Sequence, residues 1–317
     1  MTDRRVVVPD AAGLARAAGL LRRGSVVAFP TETVYGLGAD AFRASAVAEV
    51  YRLKNRPAWN PLIVHVPDAA AARDLAEEWP DGADELAAKF WPGPLTLVVR
   101  RSSRLADVGP TAAGTIAVRV PAHEVALRLL DACGLPLAAP SANRSESLSP
   151  TTARHVLQSL PEVPLVLDGG PCALGIESTV LDLTSTPPRL LRPGALALRA
   201  IRDVVGRLAL PGDAVADGAA RPSPGMSRRH YAPRARVVLA DEIGPDLPDS
   251  SGVLAYRGAD GPRREILSAD PREYAADLYA ALHRLDDAGV STILVQRPPD
   301  GEDWLAIRDR LRRAAAG

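Results

Sequence analysis

The chain has 317 residues, enough for one large domain or two ordinary ones. Hydrophobic residues make up 47% and charged residues 24%, as in ordinary globular proteins, and the formal net charge of zero argues against a strongly basic nucleic-acid-binding protein. Cys133 and Cys172 form no CxxC pair, no apolar run approaches the length of a membrane span, and the N-terminus lacks the apolar core of a signal peptide. We therefore expect a cytoplasmic protein without membrane contact.

The first predicted elements are a helix and a buried strand. Residues Ala11 to Arg23 place apolar side chains on one helical face, and Gly24 follows as a C-cap. The short apolar run from Val26 to Phe29 ends at Pro30, which is typical of a strand that leaves the core.

A polar turn, a helix and a second strand come next. Gly36 and Gly38 allow the backbone to turn sharply or to pass close to a ligand. Residues Ala44 to Leu53 are rich in good helix formers, and Leu62 to Val66 is again an apolar run. This strand-turn-helix-strand unit brings hydroxyl groups, an amide, an imidazole and two cations together.

The two cations lie at a basic corner that follows the helix. Lys54 and Arg56 precede Pro57, which stops the helix, and Asn60 and His65 follow. Lysine offers a point charge to a phosphate and arginine offers a planar fork, so the corner suits an anionic ligand. Considered by themselves, Lys54 and Arg56 fit an alternative equally well: solvent-exposed cations at the end of a helix, where the helix dipole favours positive charge.

The whole stretch is far more specific than its cations. The strings PTETVYGLG and KNRPAWNPLIVHV resemble the core motif of the YrdC-like family of threonylcarbamoyl-AMP synthases. These enzymes make the activated intermediate for threonylcarbamoyl-adenosine in transfer RNA. The resemblance implies a twisted mixed α/β sheet with flanking helices.

The chain continues with further predicted helices and strands. Asp68 to Glu78 and Asp81 to Phe90 are predicted helices with acidic starts. Leu95 to Val99 is a predicted strand behind a stiff corner, FWPGP, which resembles the family. Thr115 to Val120 is a strand that contains Arg119, and its alternation alone favours an exposed arginine. In the family, however, this arginine lines the threonine pocket.

A loop rich in serine follows the helix that ends near Cys133. Ser149 and Pro150 are predicted to begin a helix, with Ser149 as N-cap, although such an N-terminus also binds phosphate. The tripeptides SAN and SPT resemble the family. The family pattern expects a glycine near Glu146, so this carboxylate must point away from any phosphates or the loop must be shifted.

The first domain ends with segments that also resemble the family. Pro164 to Gly170 and Gly175 to Val180 are predicted strands, and the second begins with a pair of hydroxyls. Arg189 to Gly194 closes the sheet, and Arg199 to Leu208 is the last helix. We therefore predict a catalytic domain over residues 1–208.

A linker over residues 209–235 is predicted from composition. Pro211 to Pro233 is rich in Pro, Gly and Ala, as in a passive tether, yet it carries Met226, His230 and Tyr231, which need a surface to pack against. The segment resembles the interdomain segment of the long form of the family, which folds back over the active site. We therefore expect a lid.

Residues 236–317 are predicted to form a small Rossmann-like parallel α/β domain, with elements in the order β-β-β-α-β-α. The strands are predicted at Arg236 to Leu239, Val253 to Tyr256, Ile266 to Leu267 and Thr292 to Gln296, and the helices at Pro271 to Ala288 and Trp304 to Ala315. No GxGxxG follows a strand, so a dinucleotide site is not supported.

The resemblance implies a nucleotidyltransferase that condenses L-threonine, bicarbonate and ATP to threonylcarbamoyl-AMP and pyrophosphate. The implied threonine-binding residues are Thr33, His65, Arg119, Ala139 (through its backbone) and Ser178. The implied ATP-binding residues are Lys54, Arg56, Asn60, Thr115, Ser141, Asn143, Ser149, Arg192, His230 and Tyr231, with Lys54 and Arg56 also catalytic. Mg²⁺ is expected to arrive with ATP rather than on protein side chains.

Two other functions remain open at this point. The first is a non-catalytic RNA-binding module, which would bind RNA through the basic corner and Arg228-Arg229. The near-neutral net charge and the lack of a series of aromatic residues for base stacking argue against it. A carbamoyl-transfer domain like that of hydrogenase-maturation proteins would carry CxxC pairs, which this sequence lacks. If the enzyme assignment holds, a downstream threonylcarbamoyl transferase complex is the expected partner, with at most weak direct contact to transfer RNA.

Overall fold

Two separate β-sheets organise the chain. The structure, a computed structural model, describes residues 3–103, 114–210, 230–244, 247–258 and 261–316. Within these ranges the first sheet is mixed and the second is parallel, which confirms the predicted fold class.

The first sheet is built from short strands that are connected mostly by helices. Its strands are β1 (Val6–Val7), β2 (Val27–Phe29), β3 (Gly36–Asp40), β4 (Ile63–His65), β5 (Ala76–Glu78), β6 (Leu95–Arg101), β7 (Thr115–Arg119), β8 (Leu137–Ala138), β9 (Val166–Leu167), β10 (Thr179–Asp182) and β11 (Arg189–Arg192). Their order is β1-β9-β2-β3-β8-β4-β7-β6-β10-β11, and β5 pairs with β6. The central strands β4 and β7 run parallel, so their carboxyl ends meet at one edge.

Helices cover both faces of this sheet. They are α1 (Ala11–Arg22), α2 (Ala44–Lys54), α3 (Ala69–Asp74), α4 (Ala83–Phe90), α5 (Glu124–Cys133), α6 (Ala153–Ser159) and α7 (Leu198–Val205). Val27 and Phe29 of β2 join the buried cluster under α1 and α5, whereas Ala28 joins the cluster under α2. Because successive strand residues point to opposite faces, the two clusters lie on opposite sides of the sheet.

Local sequence explains where the first helices begin and end. The Asp10 carboxylate accepts a hydrogen bond from the Gly13 N–H at 2.8 Å and so caps α1. Helix α2 ends because Asn55 adopts a left-handed backbone, with φ of 49°, and Pro57 follows. The boundaries predicted for both helices are confirmed to within one residue.

The predicted helix over Asp68 to Glu78 is wrong in its second half. Helix α3 stops at Asp74, and Ala76 to Glu78 forms the edge strand β5 against Arg100 and Arg101. Its residues are good helix formers, but the open edge of β6 offers backbone partners that outweigh this weak local preference. The Ser102 N–H also donates to the Leu75 carbonyl at 2.9 Å.

The predicted helix start at Ser149 is also wrong. Helix α6 begins at Ala153, and its N-cap is Thr152, whose side chain accepts from the His155 N–H. The Pro150 carbonyl accepts from the Tyr35 N–H at 2.8 Å, which keeps this segment extended beside β3. The Ser149 hydroxyl is therefore available for another partner.

The second domain has the predicted order of elements. Its strands are β12 (Arg236–Ala240), β13 (Ser251–Ala255), β14 (Arg264–Ile266) and β15 (Thr292–Gln296), and its helices are α8 (Pro271–Asp287) and α9 (Leu305–Ala314), the latter preceded by a 3-10 turn (Glu302–Trp304). The sheet order is β12-β15-β13-β14, and its paired strands run parallel. Asp270 caps α8, Pro271 begins it and Gly289, with φ of 73°, follows its end.

The two domains share a buried interface. Val34, Leu148 and Ile176 of the first domain lie in the same apolar cluster as Leu278 and Ile307 of the second. The rings of His155 and His283 also stack across the interface, with centroids 3.8 Å apart. The exact division at residues 208 and 236 stays a prediction, and residues 211–229 of the predicted lid lie outside the described ranges.

Of the helices in the part of the chain that the structure describes, none combines the length and apolar character that a membrane crossing requires.

Candidate active site

A polar cavity of about 40 Å³ lies where β4 and β7 end. In the parallel pairing of these strands, His65 lies directly opposite Arg119, so both side chains reach the same edge of the sheet. The residues that line the cavity are Thr31, Thr33, Val34, Gly36, Arg56, Ile63, His65, Arg119, Ala139, Pro140, Ser141, Glu177, Ser178, Arg192, His230 and Tyr231. Three arginines therefore converge on one small space, which suits anionic groups.

Arg119 is buried and held in place by three contacts, so the exposure favoured by its strand pattern is wrong. Its Nη2 lies 2.7 Å from Oε1 of Glu32, its Nη1 donates to the Thr33 hydroxyl at 2.9 Å, and its Nε donates to the Gly93 carbonyl at 3.2 Å. A guanidinium carries five N–H groups, and Nη2, which is near Glu32 but makes no hydrogen bond to the described residues, remains for a ligand. A pre-oriented fork of this kind matches a carboxylate.

His65 is a neutral imidazole beside Arg119. Burial, with a smaller contribution from the Arg119 charge, lowers the pKa of His65 to about 3. Its Nδ1 is buried and has no hydrogen-bond partner among the described residues. Since unpartnered buried polar atoms are uncommon in native structures, this nitrogen is available to a ligand.

Ser178 and Arg192 form the opposite wall. Arg192 donates from Nε to the Ser178 carbonyl at 3.0 Å and from Nη2 to its hydroxyl at 3.1 Å. The Ser178 hydroxyl also lies 2.7 Å from that of Thr96. Ala139 contributes differently, because its N–H already donates to the Ile63 carbonyl at 2.8 Å and leaves only its carbonyl for a ligand.

The basic corner is buried, which rules out a solvated helix end. Lys54 is 1% exposed and Arg56 is 8% exposed. Lys54 donates from Nζ to the Ser141 carbonyl at 2.5 Å and to the Asn143 carbonyl, so it anchors the loop that carries Ser141. Burial, together with the nearby Arg56 charge, lowers the pKa of Lys54 well below its ordinary value.

Asn60 serves Arg56 rather than the cavity. The guanidinium donates from Nε to the Asn60 carbonyl at 3.0 Å and from Nη2 to its side-chain oxygen at 2.6 Å. A further bond runs from Nη2 to the Pro61 carbonyl at 2.7 Å. Burial lowers the pKa of Arg56 to about 10, so it remains a cation at neutral pH.

His230 and Tyr231, the described end of the predicted lid, close the cavity. Tyr231 is 1% exposed, and its ring lies 4.0 Å from that of His230 between centroids. Burial, followed by the charges of Arg56 and Lys54, lowers the pKa of His230 well below its ordinary value. With these residues in place the cavity holds only a few waters, far less than a nucleotide needs.

The predicted site residues divide into two groups. The proposed threonine set lines the cavity completely: Thr33, His65, Arg119, Ala139 and Ser178. From the proposed ATP set, Arg56, Ser141, Arg192, His230 and Tyr231 line it. The other predicted ATP residues do not line the cavity. Four of them make hydrogen bonds to residues of the protein: Lys54, Asn60, Asn143 and Ser149. Thr115 lies at the opposite end of β7 from Arg119. The roles of all these residues stay predictions.

Comparison with known proteins decides the family. A sequence model described as telomere recombination, which groups Sua5, YciO and YrdC, matches residues 19–194, and one described as the C-terminal domain of threonylcarbamoyl-AMP synthase matches residues 196–316. The chain belongs to the Sua5/YciO/YrdC family. The resemblance seen in the PTETVYGLG and KNRPAWNPLIVHV strings is thereby confirmed.

Full-length relatives of this family match both domains. A threonylcarbamoyl-AMP synthase from Pyrococcus abyssi is 41% identical over 94% of this chain and 93% of the relative, and one from Bacillus subtilis is 39% identical over 96% and 93%. The crystal structure of P. abyssi Sua5 complexed with L-threonine superposes with a TM-score of 0.88 at 40% identity, covering 95% of this chain and 94% of that one.

Two carboxylates of this Sua5/YciO/YrdC family member were missed as site residues from sequence. Glu32 orients Arg119, and Glu177 lines the cavity while its carboxylate accepts from the Ser149 hydroxyl at 2.5 Å. Glu177 follows Ile176 and precedes the hydroxyl residues Ser178 and Thr179 at the start of a strand. A charged residue at this place in an otherwise uncharged run is the feature of the sequence that could have identified it as a site residue. Glu146, in contrast, is exposed and adopts φ of 69°, so it points away as required, with the backbone that a glycine would favour.

A larger cavity of about 530 Å³ lies between the domains of this family member. Its lining is mainly apolar and includes Leu174, Leu196 and Ala306. Because the three arginines do not reach it, the smaller polar cavity is the candidate active site. The buried thiols do not contribute either, since burial raises the pKa of Cys133 and raises that of Cys172 to about 12.

Proposed function

We propose that this chain is a threonylcarbamoyl-AMP synthase, which condenses L-threonine, bicarbonate and ATP to threonylcarbamoyl-AMP and pyrophosphate. One observation carries the proposal: His65 and Arg119 face the same cavity as Arg56 and Arg192, so amino-acid and phosphate groups would meet there. The burial of Lys54 and Arg56 argues against an RNA-binding patch at this corner. A cytoplasmic location is part of the proposal and rests on the buried free thiols.

Threonine is placed at the β4–β7 edge. Its carboxylate meets the free N–H groups of Arg119, and its amine is held by the Ala139 carbonyl. The hydroxyl groups of Thr33 and Ser178 and Nδ1 of His65 are the remaining polar partners. A histidine with a pKa of about 3 is a poor base at neutral pH, so His65 positions the substrate and does not store its proton.

ATP is placed on the side of Arg56 and Arg192, with Ser141 at the same wall. Among the described residues, no group of three His, Cys, Asp or Glu side chains is placed to hold a metal ion. Glu177, which lines the cavity, and Glu32, which contacts Arg119, are both paired with arginines. This donor set fits Mg²⁺ that enters on the phosphates of its substrate, Mg·ATP.

The chemistry needs positioning more than a protein nucleophile. In the route that we favour, bicarbonate loses hydroxide to give carbon dioxide, and the threonine amine adds to its carbon and loses a proton. The products are a carbamate and one water, which forms from that hydroxide and that proton. A carbamate oxygen then bonds to the α-phosphorus, and the bond from that phosphorus to the β-phosphate bridge breaks, so that pyrophosphate leaves with the electron pair. Arg56 and Arg192 stabilise the developing charge on the phosphates.

The product is a reactive anhydride that water can hydrolyse, and we assign to His230 and Tyr231 the role of shielding it. Since the cavity with both residues in place is too small for a nucleotide, they must move to admit ATP and can then shield the product from water. A downstream threonylcarbamoyl transferase complex would take up the released intermediate.

Pyrophosphate release from Mg·ATP tests the proposal. It should require both L-threonine and bicarbonate, each omitted in turn from carbon-dioxide-depleted buffer, and the adenylate should be detectable by mass spectrometry. D-threonine serves as the matched control, because it presents the same groups in the wrong arrangement. Release that is indifferent to L-threonine would refute the function.

A further inference from the structure

Arg310 reaches from the second domain into the wall of the candidate active site. This residue of α9 is 1% exposed, and its Nε donates to Oε2 of Glu177 at 2.8 Å. Its Nη1 donates to the Pro193 carbonyl at 2.8 Å and to the neighbouring Asp309 at 3.1 Å. One side chain of the C-terminal domain therefore holds two segments of the catalytic domain.

Tyr279 of α8 adds a second contact to the same carboxylate. Its hydroxyl lies 3.2 Å from Oε1 and 3.1 Å from Oε2 of Glu177. Burial alone would raise the pKa of Glu177, but the cations of Arg310 and Arg192 and the hydrogen bond from Ser149 outweigh it and keep the group ionised. A buried carboxylate from one domain thus depends on donors from the other.

The residues held in this way border the proposed ligand sites. Glu177 precedes Ser178, and Pro193 follows Arg192. The guanidinium carbon of Arg310 lies 5.1 Å from the centre of the Tyr231 ring, within the range of a cation–π contact. The N–H of His230 also donates to the backbone carbonyl of Arg313 at 3.3 Å, so α9 contacts the end of the lid as well.

We propose that Arg310 and Tyr279 are positioning residues for adenylation, so that the C-terminal domain completes the active site of the catalytic domain. This inference rests on the proposed function. Arg310 neutralises a carboxylate that would otherwise repel the phosphates of ATP, and together with Tyr279 it fixes the wall formed by Glu177, Ser149 and Tyr231. Removal of one partner of a buried charge pair is far more disruptive than removal of both.

The test is a charge-pair cycle in the full-length protein. Arg310→Met keeps an unbranched side chain that can stay buried but removes the cation that is paired with Glu177, so KM for Mg·ATP should rise about tenfold or more and exceed the rise in KM for threonine. Glu177→Gln combined with Arg310→Met removes both charges, so its KM for ATP should be at least about threefold lower than that of Arg310→Met alone. Arg312→Met is the matched control, because this arginine of the same helix is exposed.

The readouts separate positioning from support of the fold. All variants are assayed at a temperature well below their melting temperatures, so a role in stability alone would lower the melting temperature without changing KM. Should Arg310→Met fail to fold, Tyr279→Phe, which removes one hydroxyl, should still raise KM for ATP about threefold or more. The proposal is overturned if Arg310→Met or Tyr279→Phe leaves KM for ATP unchanged, or if the double variant recovers nothing.

A further measurement does not depend on the reaction. Hydrogen exchange at the amides of Glu177 to Thr179 and of Tyr231 should be faster in Arg310→Met than in Arg312→Met, and the double variant should restore the slower exchange. If the parent protein releases no pyrophosphate, the proposed function fails, whereas unchanged exchange at these amides refutes the positioning contact itself.

Discussion

Replacing Arg119 by lysine tests the assignment of the threonine carboxylate most directly. Lysine keeps the positive charge opposite Glu32 but loses the planar fork and cannot reproduce the bonds to Thr33 and Gly93 together. We therefore expect threonine binding to weaken while the buried ion pair survives in part. The ATP side of the cavity, which is held by Arg56 and Arg192, is left unchanged.

The magnitude follows from the bonds that are lost. A hydrogen bond to a charged group contributes about 1.5–3 kcal/mol, and about 1.4 kcal/mol corresponds to a tenfold change in affinity. Loss of one arm of the fork to the carboxylate should therefore raise KM for threonine about 10- to 150-fold. KM for ATP should change by less than about threefold, since no lost bond faces the phosphates.

Initial rates of pyrophosphate release, with one substrate titrated while the other is saturating, measure both constants. Arg192→Lys is the matched control: it is a buried arginine on the opposite wall, and it should raise KM for ATP more than KM for threonine. Equal changes in the two constants for Arg119→Lys, or the same pattern in both variants, would contradict the carboxylate assignment and point to a general loss of structure.

Three further predictions concern charge and motion. Lys54→Ala should lose most pyrophosphate release, because the buried Lys54 cation anchors the loop that carries Ser141 through its bonds to the Ser141 and Asn143 carbonyls, and near-normal turnover in this variant would refute the role. His65 titrates near 6.5 when unfolded and at about 3 when folded, so only the unfolded state gains its proton between these values. The contribution of His65 to folding stability should therefore fall by about 2 kcal/mol from pH 7 to pH 5. His65→Gln should flatten the denaturant-derived profile by that amount, and an unaltered profile would be the contrary result. If residues 209–235 act as a lid, amides from Ser223 to Tyr231 should gain protection from hydrogen exchange when ATP and threonine are added together. Unchanged exchange at these amides would instead indicate a passive tether.

Short motifs carried most of what the sequence revealed about the site. His65 and Arg119 could be placed together because the family resemblance supplied the pairing that a strand pattern alone would not. The prediction of a helix through Glu78 is wrong because it rested on helix propensity alone. The sequence does not show that the edge of β6 is open to pair with Ala76 to Glu78. Local preference decides such short segments only where no partner strand is near.

The contacts between domains could not be read from local patterns. Arg310 and Glu177 are 133 residues apart in sequence, and nothing near either residue identifies its partner. A weaker signal was present in α9, where Arg310 falls on the same helical stripe as the buried residues Ile307, Leu311 and Ala314. A charged residue on an apolar stripe requires a buried counter-charge, but only the folded chain shows which carboxylate provides it.

The buried cysteines make this protein convenient for site-specific labelling. A thiol with a pKa of about 12, such as that of Cys172, is ionised to only about one part in 10⁵ at pH 7, and Cys133 is shifted in the same direction. Maleimide dyes should therefore leave both native cysteines unmodified. A cysteine introduced in the linker and another at the exposed position Arg312 can then carry a donor and an acceptor without any change to the native background. Single-molecule energy transfer between them would follow the opening of the lid during turnover.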